Sequence, residues 1–134
     1  MKKGGILNAQ LAQTIASFGH GDWLVICDCG YPIPHGAKVI DLSVTINLPR
    51  IIDVAKAILD ELKIESIIIT NEMEQRSSHI LKSLKEIVPE NIPIKKICHE
   101  EFKKINNEQR NITFVKTGEA TPFANFILVA GVVF

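Results

Sequence analysis

Residues 49–70 read PRIIDVAKAILDELKIESIIIT and predict a helix that leads directly into a strand. The apolar side chains repeat at helical spacing over 49–62, and a proline stands near the start, where helices tolerate it. The β-branched run at 66–70 then favours a buried strand. A helix followed at once by a buried strand is the repeating unit of α/β proteins.

The same alternation continues on both sides of this stretch. Helices are expected at 8–18, where Asn8 can cap the first turn, at about 73–87, closed by Pro89, and at 99–105. Strands are expected at 23–27, 38–42, 93–98, 112–116 and 125–134. The strands lack polar alternation. The pattern therefore predicts a single three-layer α/β domain over 1–134, with a largely parallel central sheet covered by helices on both faces.

Charge and composition exclude several classes of partner. Fifteen basic residues balance fifteen acidic ones, so no basic surface is indicated for nucleic acid. The longest apolar run, 126–134, is far shorter than the about 20 residues that span a membrane, and the first residues lack a signal-peptide core, so a cytoplasmic protein without membrane contact is expected. Apolar residues with glycine make up about 51%, slightly above the usual range, which hints at surface buried between subunits.

Polar residues follow the predicted strands at the positions where α/β sheets bind ligands. Asp28 closes the first strand and His20 precedes it. His99 follows another strand, and a helix starting there would put Lys103 on the same face. Each has a structural explanation as well: His20 can be a loop residue, Asp28 can accept loop N–H groups, and Lys103 can be a solvated charge.

A third candidate is the segment 121–125. Because Pro122 favours an extended backbone, Phe123 and Asn125 would share one face and Ala124 the other. Asn125 can equally be a turn or strand-end residue.

Metal and nucleotide chemistry have little support in the sequence. Cys27 and Cys29 are separated by one residue, whereas zinc sites usually leave two to four, so both cysteines are predicted to be small core residues. With Cys98 the count is odd, and no disulfide is indicated. No glycine-rich dinucleotide loop, Walker loop or serine elbow is present. Dinucleotide and nucleoside-triphosphate chemistry are therefore not indicated, and zinc binding is the less favoured explanation of the two cysteines.

Several motifs together resemble the D-ribose pyranases, also called ribose mutarotases. They occur in the family's order along the whole chain, as KGGILN at 3–8, GHGD at 19–22, DCGYPIP at 28–34, HEEFK at 99–103, and TGE with TPFAN over 117–125. The resemblance implies an isomerase that exchanges β-D-ribopyranose and β-D-ribofuranose and supplies the furanose to a ribokinase.

The resemblance also implies roles for individual residues. His20 matches the catalytic histidine, and the sugar-binding positions match Asp28, His99, Lys103, Phe123 and Asn125. It implies no metal or cofactor, and a homodecamer of two pentameric rings in which the C-terminal segment completes a neighbouring subunit's site. Asp28 either binds a sugar hydroxyl or orients His20, and His99 either binds the sugar or shares in proton transfer.

One position departs from the family pattern. The family has Tyr-Ala-Asn where this chain has Phe123-Ala124-Asn125, so an aromatic face is kept and a hydroxyl is lost. One hydrogen bond contributes about 0.5–1.5 kcal/mol, which predicts an active enzyme with weaker sugar binding. Two alternatives remain at this point: a mutarotase for another sugar such as L-fucose, and a sugar-binding module without turnover.

Overall fold

The computed structural model describes residues 1–105 and 110–134, and shows one six-stranded sheet with helices packed against it. The strands are β1 (Trp23–Cys27), β2 (Lys38–Asp41), β3 (Ile64–Thr70), β4 (Ile94–Ile97), β5 (Ile112–Lys116) and β6 (Phe126–Ala130). The helices are α1 (Ala9–Ser17), α2 (Ile51–Leu59), α3 (Asn71–Arg76), α4 (Ser78–Ile87) and α5 (His99–Lys103). The predicted α/β class is confirmed, and helices and strands occur in the predicted order, except that one predicted helix is divided in two.

The sheet is mixed, in the order β2-β5-β1-β6-β3-β4. β6 is antiparallel to both of its neighbours, whereas the other three pairs are parallel. The link from β5 to β6 carries no helix, so the chain cannot cross back to the far edge of the sheet before β6 begins. β6 therefore starts at the edge where β5 ends and runs in the opposite direction, which the uniformly apolar sequence did not reveal.

The two faces of the sheet belong to two separate cores. Leu24 and Ile26 of β1 point into a core shared with α1, α2, α3 and α4. Val25 and Cys27 point the other way, into a core with Phe102 of α5. Both faces are thus apolar, as the absence of polar alternation indicated, but the second face carries one short helix together with the loop around Tyr31.

The predicted helix over 73–87 is two helices. Ser77 separates α3 from α4 with φ −138° and ψ 41°, outside the helical range. Its side chain is fully buried and its hydroxyl lies within hydrogen-bond distance of the carbonyls of Met73, at 3.3 Å, and Phe123, at 3.2 Å. The break therefore ties the helical layer to the segment that precedes β6.

β6 ends at Ala130, earlier than the predicted strand over 125–134. The neighbouring strands β1 and β3 offer no residues beyond this point, because Val129 pairs with Trp23, the first residue of β1, and Ala130 pairs with Ile64, the first residue of β3. The four residues that follow form an exposed apolar tail (131–134). Among the described residues, none of the helices has the length and apolar character needed to cross a membrane.

Candidate functional site

A cavity of about 330 Å³ opens at the edge of the sheet where β1 and β5 end and β6 begins. It is lined by residues 28–32, His99, residues 119–123 and Asn125. Five of the six strands point toward this edge, since only β6 runs the other way. The cavity thus occupies the position at which open α/β sheets bind ligands.

Asp28 and Asn125 form a clamp at the base of the cavity. Asn125 Nδ2 donates to Asp28 Oδ2 at 2.9 Å, and the Asp28 backbone N–H donates to Asn125 Oδ1 at 2.8 Å. Asp28 Oδ1 accepts a further hydrogen bond from the Gly30 N–H at 2.9 Å. Asn125 is only 2% exposed, so this pair fixes the carboxylate in one orientation.

The clamp also changes the acidity of the carboxyl group. Burial raises the pKa of Asp28, and the hydrogen bonds from Asn125 and Gly30 and the nearby His99 only partly oppose that effect. A carboxylate with a raised pKa is a stronger base than a solvated one, which suits it for accepting a proton near neutral pH.

His99 faces Phe123 on another wall of the cavity. The two rings meet edge to face with their centroids 5.0 Å apart. The His99 backbone N–H donates to Glu72 Oε2 at 3.1 Å, which fixes the start of α5, while Nδ1 of the ring is buried with no hydrogen-bond partner among the described residues. Nδ1 is thus a buried polar atom, and the ring that carries it belongs to a residue of the cavity wall.

Phe123 adopts a backbone conformation different from the predicted one. Its φ is +60°, so the chain turns at 121–123 instead of approaching in an extended form. Ser77 contacts its carbonyl, and the Arg76 guanidinium lies 5.5 Å from its ring centroid. Phe123 and Asn125 still line the cavity while Ala124 enters the core, as predicted. Nothing in the sequence indicated that Arg76 and Ser77 lie beside this segment.

Glu119 is a cavity residue for which the sequence analysis assigned no role. Its side chain is 1% exposed and accepts hydrogen bonds from Arg50 Nη1 at 3.1 Å, the Ile51 N–H at 3.2 Å and the Thr121 hydroxyl at 2.8 Å. Burial alone would raise its pKa, but these donors outweigh burial and lower it. Glu119 thus holds one side of the cavity as a fixed negative charge at the start of α2.

Two cysteines flank the clamp with different environments. Cys27 is buried, as predicted, and burial raises the pKa of its thiol. Cys29 is half-buried and lines the cavity, so the prediction of a core position is wrong for this residue. In the described part of the chain, no group of three histidine, cysteine or acidic residues is arranged to hold a metal ion.

Lys103 lies outside the lining of the cavity within a single chain, as far as the structure describes it. It follows His99 by one helical turn on α5, as predicted, but its Nζ pairs with Glu100 Oε1 at 2.8 Å. The structure therefore places it close to the site without bringing it into the cavity.

His20 lies at the opposite edge of the sheet. It precedes β1, whereas Asp28 follows it, and five residues of strand span about 16 Å. Nε2 of His20 is 2.7 Å from Glu65 Oε2, and the two side chains are 64% and 44% exposed. Within one chain, Asp28 is thus not the group that orients His20, and the structure does not bring these two residues together.

The arrangement defines a class of protein. An α/β fold with a small, mostly apolar cavity at its strand ends, into which a carboxylate, an amide and an imidazole are set beside an aromatic ring, is suited to bind a small hydroxylated molecule and to move its protons.

Comparisons with known proteins agree with this class. Residues 1–133 match the RbsD / FucU transport protein family. The chain is 42% identical to a D-ribose pyranase of Bacillus cereus and 46% identical to one of Petrotoga mobilis, with complete coverage of both chains in each case. It also superposes on the structure of Bacillus subtilis RbsD complexed with D-ribose, with a TM-score of 0.91, 40% identity and full coverage. The chain therefore belongs to the RbsD / FucU family.

A more distant neighbour shares the fold. The fucose mutarotase of Streptococcus pneumoniae, solved with L-fucose, has a TM-score of 0.71 at 23% identity over 96% of this chain and 95% of that one.

Proposed function

We propose that this protein is a D-ribose pyranase, an isomerase that interconverts β-D-ribopyranose and β-D-ribofuranose. The observation that supports it most is the cavity that unites Asp28, Asn125, His99 and Phe123 in a chain whose full-length relatives carry that name. We place the reaction in the cytoplasm, ahead of a ribokinase that consumes the furanose.

The reaction requires proton transfers and no change in oxidation state. In ring opening the C1–O5 bond breaks, its electron pair stays on O5, and O5 takes up a proton. At the same time the anomeric hydroxyl gives up its proton and its oxygen becomes the aldehyde oxygen. Closure reverses these transfers with O4 as the new ring oxygen. Positioned acids and bases accelerate such transfers by about 10²–10⁴.

The cavity residues divide these tasks. Asp28 accepts the proton of the anomeric hydroxyl, because its pKa is raised and its orientation is fixed by Asn125 and Gly30. His99, which lines the cavity, bonds a sugar hydroxyl through its imidazole ring. Phe123 packs against an apolar face of the sugar ring.

The proton for the ring oxygen comes from His20 of a second copy of the chain. Within one chain His20 is exposed at the far edge of the sheet, so it can reach a cavity only in a neighbouring subunit. The apolar tail 131–134 leaves the sheet at the same edge, since Gly21 and Asp22 bond to Ala130. His20 and this tail would therefore approach the neighbour together.

An apolar surface also lies beside the cavity. Val44, Ile46 and Leu48 are 77%, 71% and 54% exposed in a loop over 43–48 that we call the apolar loop. Asn47 ties this loop to the cavity wall, because its N–H donates to Gly118 and its side chain accepts from the Ala120 N–H. The cavity edge and the His20 edge thus each expose apolar side chains.

Two different surfaces at opposite ends of the sheet favour head-to-tail association. Contacts of this kind close into rings when the rotation between copies permits it. We propose that rings of five form in this way, with one site at each junction, and that two rings pair into a decamer. Lys103 would enter the site from this junction, where its partner Glu100 is exposed and free to release it.

Saturation-transfer NMR on equilibrated ribose tests the proposed activity. We expect the protein to transfer saturation between pyranose and furanose signals, and the folded His20→Ala variant to lose this exchange. Ribose binding without exchange by the wild-type protein, or exchange of L-fucose anomers in preference to ribose, would contradict the proposal. Full exchange by His20→Ala would remove His20 from the mechanism.

A further inference from the structure

The side chain of His20 has a single close partner among the described polar groups, the carboxylate of Glu65. The 2.7 Å separation of Nε2 and Oε2 is that of a charge-assisted hydrogen bond. The other acidic side chain of the His20 turn, Asp22, accepts instead from the Gly19 N–H at 2.9 Å and from Asn111 Nδ2 at 3.2 Å. In the part of the chain that the structure describes, Glu65 is thus the acidic side chain that contacts the His20 ring.

The sheet holds Glu65 in a fixed place. It lies within β3 at the point where the pairing with β6 shifts register, because Ile64 pairs with Ala130 and Ser66 pairs with Val129, which leaves Glu65 as the extra residue of a bulge. Gly131 packs directly against it, and a Cβ at that position would lie 3.1 Å from the Cβ of Glu65. Gly131 also donates its N–H to the Lys63 carbonyl at 2.9 Å. The carboxylate therefore extends from a bulge residue, and bulges often set the direction of a side chain, while the tail segment packs beside it.

Stability does not explain this pair. Both side chains are substantially exposed in one subunit, and exposed ion pairs contribute between nothing and about 1 kcal/mol. The pair lies at the edge that would meet a neighbour's cavity. Contact with the neighbour would remove water from the pair, and removal of water strengthens the bond between the carboxylate and the imidazole.

We infer that Glu65 is a positioning residue for the proton donor. By accepting from Nε2–H of His20, it leaves Nδ1 as the ring nitrogen that faces the sugar. Nδ1–H gives its proton to O5 as the C1–O5 bond breaks, and Nδ1 takes a proton back from the O4 hydroxyl as the furanose closes. The inference rests on the proposed function, and it assigns to Glu65 the orienting role that the sequence left open for Asp28.

Kinetics of three variants in the full-length protein test this inference. Glu65→Gln keeps the size and an acceptor but removes the charge, and we expect its kcat for ribose exchange to fall about tenfold or more, with KM unchanged, because groups that orient a functional histidine typically carry effects of 10–100-fold. Glu65→Asp should retain more activity than Glu65→Gln. Glu74→Gln is the matched control, since Glu74 forms an exposed 2.6 Å pair with Lys96 and should leave the kinetics unchanged.

Added formate provides a second readout. It should restore part of the kcat of Glu65→Ala and none of that of His20→Ala. A kcat for Glu65→Gln equal to that of the active wild-type protein, a rise in KM with kcat retained, or loss of assembly by sedimentation would overturn the positioning role. Inactivity of the wild-type protein would instead contradict the proposed function, so the two failures are distinguishable.

Discussion

At the scale of single residues, the surroundings of Asp28 set both the orientation and the acidity of its carboxyl group. Both of its carboxylate oxygens accept N–H donors, from Gly30 and from Asn125, and spare lone pairs remain for a ligand. The donors hold the group still, while burial raises its pKa. The orientation of the proposed base therefore depends on two positions that are 97 residues apart in the chain.

Asp28→Asn should abolish most of the exchange. An amide has only one oxygen, so its NH₂ must face either the Gly30 N–H or Asn125 Nδ2, at a cost of about 1–3 kcal/mol. With the base also lost, we expect exchange to fall by about 10² or more in saturation-transfer NMR. Asp41→Asn is the control, because Asp41 is exposed at the end of β2 and bonds only to its own loop and Lys116. Retained exchange in Asp28→Asn would exclude it as the base.

Phe123→Tyr should tighten ribose binding. The ring already stands edge to face with His99 and close to Arg76, so an added hydroxyl would lie among polar groups. One further hydrogen bond is expected to lower the dissociation constant by up to about tenfold in a ribose titration. Phe123→Leu, which removes the aromatic face, should weaken binding. An unchanged affinity in Phe123→Tyr would contradict the assigned contact.

Sequence patterns predicted the cavity residues that directly follow or precede strands. Asp28, His99, Phe123 and Asn125 stand next to strand ends, and strand ends converge in this class of fold. Glu119, Arg76 and Ser77 were not predicted as neighbours of the site because their positions depend on contacts between segments distant in the chain. The role of His20 could not be tested within one chain, because it lies at the far edge.

At the scale of elements, Glu119 connects the cavity to α2. Its carboxylate accepts from the Ile51 N–H, the first residue of α2, and Arg50 has no side-chain cap of its own. A negative charge at a helix N-terminus is favourable. The cavity wall and the start of the helix therefore share one buried charge.

Glu119→Gln should reduce stability and its dependence on pH. The pKa of Glu119 is lowered in the folded state, so its contribution is fully present above the unfolded value of about 4.3 and is lost as the pH falls through the folded value. Chemical unfolding should show a loss of about 1–3 kcal/mol at pH 7 for the variant. Between pH 6 and pH 3 its stability should change less than that of the wild-type protein. Equal pH dependence in both proteins would contradict the role of Glu119.

Most elements were predictable from local pattern, and the exceptions have identifiable causes. Ser77 interrupts the helical stretch because its buried hydroxyl reaches Phe123, a contact with no local signature. β6 is antiparallel because the segment before it is too short for a crossover helix, and it ends at Ala130 because β1 and β3 offer no further partners. The hydrophobic pattern of a segment indicates which residues are buried, whereas the direction and the ends of a strand depend on the strands with which it pairs.

At the scale of the whole molecule, the sheet separates two halves of one chemical apparatus. The cavity with Asp28 is at one edge, and His20 with Glu65 and the apolar tail is at the other. In the proposed mechanism, a single chain therefore presents the proton donor at one edge and the substrate site at the other. We propose that neighbouring copies of the chain bring the two together.

Complementation between two inactive variants tests this claim most directly. His20→Ala and Asp28→Asn are to be unfolded together, reassembled in equal amounts, and assayed by saturation transfer on ribose beside each variant reassembled alone. If one copy supplies His20 and its neighbour supplies Asp28, about a quarter of the junctions in a random mixture hold both native residues, and exchange should return to that fraction of the wild-type rate. No recovery in mixed assemblies of native size would contradict a site shared between subunits.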